Sequence, residues 1–447
     1  MTVAANQNTS TTGRKVFKHF SIYSGAGFLN RAIPLLLLPI LTRYLSPEDY
    51  GLLATFTAAL SLLNILIGMG GTDAITRGYF DRNKEGFSFS QYLFNVLLVN
   101  LGAFIIVMLA VVGFQTYLVE KFSIPAHDLL LLPVLGLWMT VYMIPCKLFV
   151  FRQAPASYAG LETARTLSEI VLSILFVVFL KMNWQGRVGG LLISQFLFFL
   201  LGIFLIGKLY RWDPTYHWDY VKRILSFGAP VVFHSLGFTL IVTMDRFFLN
   251  RLVGLSAVGI YSVGSSLAAV LAFGIGAFNL AWSPMLYQKL ENADDAAKNK
   301  LVAVTYSYFA GICVLAVLLI VTGPWALKVL AGPAFHGAAQ VVPWLAMGYA
   351  VHGMYTMVVD YIFYQRKTYL LSLVAVLTVI VSVVFNMVLI PLNGAVGAAQ
   401  AVFFTFFSRF LLVWYFSNKV YPMPWFSFFK MKKILPNGPQ IAVGSPR

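Results

Sequence analysis

The chain has 447 residues, of which 59% are apolar and only 11% charged, with mean hydropathy +0.79. A soluble domain holds roughly 45–50% apolar and about 25% charged residues, so the composition excludes a water-soluble globule and specifies an integral membrane protein. The formal charge of +16 is spread over short loops, which argues for membrane topology and against nucleic acid as a partner.

A membrane-spanning helix needs about 20 mostly apolar residues. Twelve windows qualify: 20–41, 51–71, 92–113, 129–150, 161–180, 188–209, 224–249, 257–282, 301–322, 340–363, 369–392 and 394–416. They are apolar on all sides, which fits helices; strands of a membrane barrel alternate. The polar residues 1–19 precede a full-length first run, which reads as a retained span. The expected organisation is a cytoplasmic segment 1–19, an N-lobe 20–209, a linker 210–223, a C-lobe 224–416 and a basic tail 417–447. Polar loops at 72–91 and 287–300 follow the second span of each half.

The punctuation between spans is chemical. Ser46, Pro47, Glu48 and Asp49 can cap a helix, start it and favour its positive end. Ser256 is the expected cap in the second half. Gly186-Arg187-Val188-Gly189 and Gly394-Ala395-Val396-Gly397 predict tight reversals before spans six and twelve. About 22 of the 32 basic residues fall in alternate loops and about 7 in or beside the others, Arg187 among the latter; Arg31, Lys147 and Arg409 lie within spans. The positive-inside rule then puts both termini in the cytoplasm.

A constant offset of 208 relates the halves. It superposes Gly186 on Gly394, Gly189 on Gly397, Arg43 on Arg251, Gly51 on Gly259 and Gly68 on Gly276. Six spans per half is an even number, so both halves enter the membrane the same way round, as parallel repeats of a transporter do.

No enzyme constellation is present: the six histidines are scattered, and there is no phosphate loop or nucleophile elbow. No catalytic residue, metal site or cofactor is expected. Cys146 and Cys313 read as small apolar residues within spans. Charges inside spans are costly and mark function. The candidates are Arg31, Lys147, Glu169, Asp245, Arg246, Asp360 and Arg409. Glu169 is a structural partner considered for Arg31. Asp245 and Arg246 are adjacent, so on a helix they diverge by about 100° and need separate partners or a shared wet cavity. The basic excess suits an anionic substrate, with phosphate foremost. Pro34, Pro39 and Pro230 interrupt the leading span of each half and are candidate hinges.

The run Leu41-Thr42-Arg43-Tyr44-Leu45-Ser46-Pro47-Glu48-Asp49-Tyr50-Gly51, then Asp245-Arg246-Phe247-Phe248-Leu249, Val258-Gly259-Ile260-Tyr261-Ser262, Ala281-Trp282-Ser283-Pro284-Met285 and Ile390-Pro391-Leu392-Asn393-Gly394-Ala395-Val396-Gly397 together resemble the polysaccharide flippases of the MOP exporter superfamily, the Wzx-type O-antigen and exopolysaccharide translocases. The resemblance covers nearly the whole chain. It implies an all-α membrane protein of about 12 spans in two six-helix lobes, a V-shaped MATE/MOP-like transporter of the bacterial inner membrane. It implies a polyprenyl-pyrophosphate-linked glycan as substrate, contact with membrane lipids and with polysaccharide polymerase or chain-length proteins, and no enzyme activity. Arg31, Arg246, Lys147 and Arg409 are then expected to bind substrate. Glu169, Asp245 and Asp360 are expected to couple transport to H+ or Na+. Competing readings are a multidrug cation exporter or a lipid II-type flippase of the same superfamily, a membrane polymerase or ligase of the same pathway, and a membrane scaffold.

Overall fold

The computed structural model describes residues 35–291 and 294–425, with Gly25 and Ile33. Arg31, Pro34 and the tail beyond residue 425 lie outside the described residues. The N-lobe runs through α1 (Leu35–Tyr44), α2 (Pro47–Gly68), α3 (Gly71–Asp81), α4 (Phe89–Gly113), α5 (Gln115–Phe122), α6 (Ala126–Phe151), α7 (Pro155–Ile174) with a π-helical turn (Leu175–Phe179), and α8 (Asn183–Leu209). The C-lobe holds α9 (Trp218–Leu252), α10 (Leu255–Leu290), α11 (Asp295–Leu330), a 3₁₀ turn (Pro333–Gln340), α12 (Val342–Tyr364) and α13 (Tyr369–Val420). We call the end where α13 finishes the tail end and the opposite end the distal end.

Among the described residues, eight helical stretches are long and apolar enough to cross a membrane. α7 and α12 are not among them. α7 carries Glu162, Arg165 and Glu169, and α12 carries His352 and Asp360; α12 is largely enclosed by neighbours, whereas α7 buries its charged face and exposes Leu167 and Val171. The lipid-facing surface is of the opposite kind: Val314, Leu315, Val317, Leu318 and Val321 of α11 are all exposed. At about 1.5 Å per residue, the 36 residues of α10 or α11 span roughly 54 Å, well beyond a hydrocarbon core of about 30 Å.

Local sequence explains the ends. Ser46 Oγ accepts from the Asp49 amide at 3.1 Å and the Asp49 carboxylate accepts from the Ser46 amide at 3.3 Å, a capping box that starts α2 as expected. The second half does it differently. α10 begins at Leu255 with Gly254 as its cap at φ 122°, a conformation natural only to glycine, so Ser256 lies inside the helix and does not cap. The expected loop 72–91 contains α3. Met69 and Gly70 both turn left-handed, and the chain then resumes as a helix whose Ala74 and Ile75 are fully buried. The linker is shorter than expected, 210–217, because Tyr220, Val221 and Ile224 are buried on the first turns of α9.

α13 is two helices joined at Gly394 (φ 56°, ψ −129°). The chain reverses there. The rings of Phe385 and Phe404 lie 5.4 Å apart, although 19 residues of straight helix would separate them by roughly 28 Å. A Cβ on Gly397 would meet the Leu389 carbonyl oxygen at 1.9 Å, so the reversal needs glycine there.

The two lobes touch near both ends. At the distal end, a Cβ on Gly51 would lie 1.9 Å from the Leu255 carbonyl oxygen, and a Cβ on Gly259 would lie 1.9 Å from that of Pro47. An offset of 208 carries Gly51 to Gly259 and Pro47 to Leu255. The contact is therefore its own image when the halves are exchanged, as at a two-fold interface. Small residues permit such close helix approach in a membrane. Nearby, the Gly332 amide donates to Thr42 Oγ1 at 3.0 Å and Arg43 donates to the Val329 carbonyl at 3.2 Å. Towards the tail end, Gly228 of α9 sits on Met69 and Gly70.

Candidate functional site

Arg187 of α8 and Arg246 of α9 face each other across the lobe interface. Both line a cavity of about 230 Å³, with Tyr50, Thr57, Ser262 and Ser266 as its other polar lining. Leu37, Leu41, Leu53 and Ala54 form its apolar wall. Among the described residues the lining contains no carboxylate. The carboxylates lie behind the arginines.

Each arginine is held from the rear. Arg187 Nη2 contacts Glu169 Oε1 at 2.5 Å and its Nη1 donates to Ser173 Oγ at 2.9 Å. The same carboxylate's other oxygen accepts from Arg165 Nη1 at 3.1 Å. Arg165 lies 3.5 Å from Glu162, which accepts from Tyr142 at 2.9 Å and from the Cys146 thiol at 3.4 Å. The geometry follows from helix spacing, because residues three and four apart share a face. Glu162, Arg165 and Glu169 therefore form one buried stripe on α7, with Arg187 reaching in from α8.

On the C-lobe side, Arg246 Nη1 lies 3.3 Å from Asp245 Oδ1 and donates to the Val242 carbonyl at 2.9 Å. Tyr261 donates to the other oxygen of Asp245. Where separate partners or a shared wet cavity were expected, the long arginine side chain folds back to its own neighbour and also lines the cavity. The cavity is thus cationic at its surface and nearly neutral in depth. That is how two guanidinium groups persist in a membrane, where an unpaired charge at mid-helix costs at least about 2.5 kcal/mol.

The other candidates are dispersed. Glu169, considered as a partner for Arg31, is engaged by Arg165 and Arg187. Lys147 lies towards the tail end, 3.5 Å from Asp73 of α3. Asp73 lines a second cavity of about 200 Å³ with Asn64, Thr140 and Ser235. Asp360 is buried in the C-lobe and accepts from Ser283 at 2.7 Å and Tyr287 at 3.5 Å. Arg409 donates to Tyr355 Oη at 2.8 Å and lies 4.1 Å above that ring. Its Nε and Nη1 atoms are buried and have no hydrogen-bond partner among the described residues. Pro39 lies inside α1, and Pro230 lies inside α9 just past the Gly228 contact. Cys146 is buried, but Cys313 is exposed on α11.

The reading of the sequence missed Arg187. Its place beside Gly186 and Gly189 suggested a loop, yet α8 begins at Asn183, so Arg187 is a full turn inside. Among the described residues no three His, Cys, Asp or Glu side chains gather to hold a metal ion.

A family model described as polysaccharide biosynthesis protein matches residues 16–290. Lsg locus putative protein 1 of Haemophilus influenzae is 24% identical over 402 residues, covering 87% of this chain and 96% of the relative. An uncharacterized membrane protein of the same organism is 24% identical over 397 residues, covering 86% and 94%. Among solved structures, a lipid II flippase MurJ in an inward closed conformation aligns with TM-score 0.71 at 14% identity, over 89% of this chain and 87% of that one. An inward-facing multidrug resistance MATE family transporter of the MOP superfamily aligns with TM-score 0.60 at 14% identity, over 91% and 96%. The fold is therefore the two-lobed, all-helical membrane architecture that the sequence led us to expect.

Proposed function

The chain belongs to the polysaccharide biosynthesis protein family, and from that membership we propose that it moves a polyprenyl-pyrophosphate-linked oligosaccharide from the cytoplasmic to the periplasmic leaflet of a bacterial inner membrane. The observation that carries this reading is the pair Arg187 and Arg246 facing one cavity between the lobes. A guanidinium offers a rigid fork of donors that matches phosphate oxygens. Two forks on opposite lobes suit a diphosphate, and a ligand held by both would draw the lobes together. The same surface disfavours organic cations, which supports an anionic cargo over that of a multidrug exporter.

The mechanism is alternating access. A cavity of about 230 Å³ is below the roughly 300–1,000 Å³ of ordinary ligand sites. The head group must therefore enter and leave with the lobes apart, while the lipid tail stays in the bilayer. Nothing in the substrate is broken or made, so the activity is transport and not catalysis. In this reading Arg31 and Arg409 add cationic contacts along the path, and Lys147 beside Asp73 meets the substrate at the tail end. Glu169, Asp245 and Asp360 are the proposed ion-coupling groups, for H+ or Na+. Pro34, Pro39 and Pro230 are the proposed bending points. The basic loops support a cytoplasmic location for both termini, near the enzymes that build the glycan. The polymerase and chain-length proteins that take it onward are the proposed partners.

The test is a deletion strain with and without the gene restored. Glycan on polyprenyl carrier is probed from outside spheroplasts with a membrane-impermeant lectin. The reading expects lectin access only when the gene is present, and its loss with Arg246→Ala at unchanged protein level. Unchanged access in the deletion strain, together with accumulation of cationic dyes, would replace the flippase reading with the exporter.

A further inference from the structure

Two cavities lie in line between the lobes, and the helices that wall them carry a polar track from one to the other. α2 lends Thr57 to the arginine cavity and Asn64 to the second cavity beside Asp73. α9 lends Arg246 to the first and Ser235 to the second. Residues seven or eleven apart return to the same face of a helix, so each helix shows one stripe to its partner. Ser61 completes the stripe of α2 and Thr239 that of α9, by the same spacing. From Thr57 to Asn64 the helix rises about 10 Å. Ser235 is further from Arg246, but the guanidinium folds back one turn to the Val242 carbonyl, which again leaves about 10 Å along α9.

The second cavity differs in chemistry. It holds about 200 Å³, room for about six waters at roughly 30 Å³ each or for one sugar ring. Its polar lining is amide, carboxylate and hydroxyl: Asn64, Asp73, Thr72, Thr140 and Ser235. Asn64 Oδ1 accepts from Thr140 Oγ1 at 3.1 Å. That bond fixes the amide and leaves its Nδ2 without a hydrogen-bond partner among the described residues, as is Ser235 Oγ. Asp73 lies 3.5 Å from Lys147, and both side chains stay partly exposed. Polar groups without partners are costly inside a membrane protein, so donors and acceptors turned into a cavity mark a place for a polar guest. A sugar hydroxyl suits this set, because it both donates and accepts.

We propose that the cavity of Asn64, Asp73 and Ser235 is a glycan subsite, which hydrogen-bonds the sugar lying second from the diphosphate. The proposal rests on the diphosphate reading of the arginine cavity and adds which part of the glycan the chain inspects. A sugar joined directly to the diphosphate covers only part of the separation of about 10 Å; the next sugar reaches the second cavity. Ser61 and Thr239 lie along the way. The division of labour is chemical: the arginines take any diphosphate, and the second cavity selects by the placement of hydroxyl groups. Asn64 and Ser235 stand on opposite lobes, so a glycan that bonds to both favours the lobes together.

The experiment measures dissociation constants for the full chain in lipid nanodiscs. The probes are farnesyl pyrophosphate and the same diphosphate carrying either glucose or the disaccharide maltose. The readout is the ratio of bare to glycosylated constant within one protein, which a partial loss of folded protein does not move. A hydrogen bond is worth a factor of about 2–10. With several engaged, wild type is expected to bind the maltosyl probe at least about tenfold tighter than the bare one, and the glucosyl probe within about twofold of it. Asn64→Leu removes the amide donor at nearly constant volume, and Ser235→Ala removes the hydroxyl. Each is expected to cut the maltosyl gain by about 2–10-fold, while Ser235→Thr, which keeps a hydroxyl, retains it. Three results overturn the proposal and leave the diphosphate site standing: a maltosyl probe that binds no tighter than the bare one, a glucosyl probe that already shows the full gain, or a gain that survives both Asn64→Leu and Ser235→Ala. Failure of wild type to bind farnesyl pyrophosphate itself overturns the diphosphate site, and the proposal with it.

Discussion

A single methyl group at Gly51 should pry the lobes apart at the distal end. The Cβ of Gly51→Ala would sit 1.9 Å from the Leu255 carbonyl oxygen, where ordinary contact begins at 3.4 Å. Helix backbone faces helix backbone there, so no side chain can swing aside. Relief requires α2 and α10 to separate by about 1.5 Å, the difference of those two distances. Overpacking of this kind costs about 1–3 kcal/mol, charged here only to the state in which the distal ends touch. A bias of that size moves a two-state equilibrium about 5–150-fold. Gly259→Ala should do the same, since its Cβ would meet the Pro47 carbonyl at 1.9 Å. Because both act on one contact, the double variant should shift the population by less than the sum of the singles. The assay places spin labels at Tyr44 and Val329, both half exposed at the distal end, after Cys313, the exposed native cysteine, is replaced by serine. Distances between labels should lengthen in either variant. If both glycine variants keep the wild-type distance distribution and full transport, the contact is not a gate and the reasoning fails.

Other outcomes follow from the same geometry. Arg246→Ala should abolish lectin-detected flipping at matched amounts of folded protein, and should also lower the melting temperature, because it strips buried Asp245 of its cation and breaking a buried pair costs about 3–5 kcal/mol. Arg165→Leu should be a stability lesion: it strips the central cation from Glu162 and Glu169, and breaking a buried pair costs about 3–5 kcal/mol, read as a lowered melting temperature or loss of folded protein in detergent. Ser46→Ala removes the α2 cap and should cost about 0.5–2 kcal/mol, visible as a modest drop in melting temperature with transport intact. Pro230→Ala restores a backbone hydrogen bond within α9. That helix is anchored to the N-lobe by Tyr220, Val221 and Ile224 and to the C-lobe by Ile241, so stiffening it between those anchors should slow transport without weakening binding of farnesyl pyrophosphate.

The fold was legible because lipid simplifies the sequence. Apolar runs of one length can only be spans, and Gly394 declared the break between the last two. The capping box at Ser46 was equally plain, because its chemistry is complete within four residues. What failed to show was structure that depends on distant partners. α3 looked like a charged loop; Ala74 and Ile75 are apolar enough to form a helix only because α4 lies over them, with Tyr92 donating to the Ala74 carbonyl at 3.2 Å. Arg187 was hidden by its glycine neighbours. Those glycines in fact mark close helix packing: a Cβ on Gly190 would strike the Ser173 amide nitrogen at 2.7 Å. The spacing of Glu162, Arg165 and Glu169 puts them in one helical stripe, but of the three only Glu169 was singled out as a charge within a span.

The repeat itself explains why the site was harder to see than the scaffold. The offset of 208 that pairs Gly51 with Gly259 pairs Arg187 with Ala395, Arg246 with Leu38, Asp245 with Leu37 and Glu169 with Leu377. The halves agree where backbones must touch and differ where the cavity carries charge. This division has a physical basis. Two lobes that rock against each other need the same contact seen from both sides, so a self-complementary pair of glycines serves both. A substrate with one anionic end has no such symmetry, and a cavity that bound it equally from both lobes would have no direction in which to respond. In this chain two carboxylates lie behind the N-lobe arginine, while the C-lobe arginine is held by an aspartate fixed to a tyrosine. Under the offset Glu169, Arg187, Asp245 and Arg246 all fall on apolar counterparts, and they are the two arginines of the cavity with the carboxylates behind them.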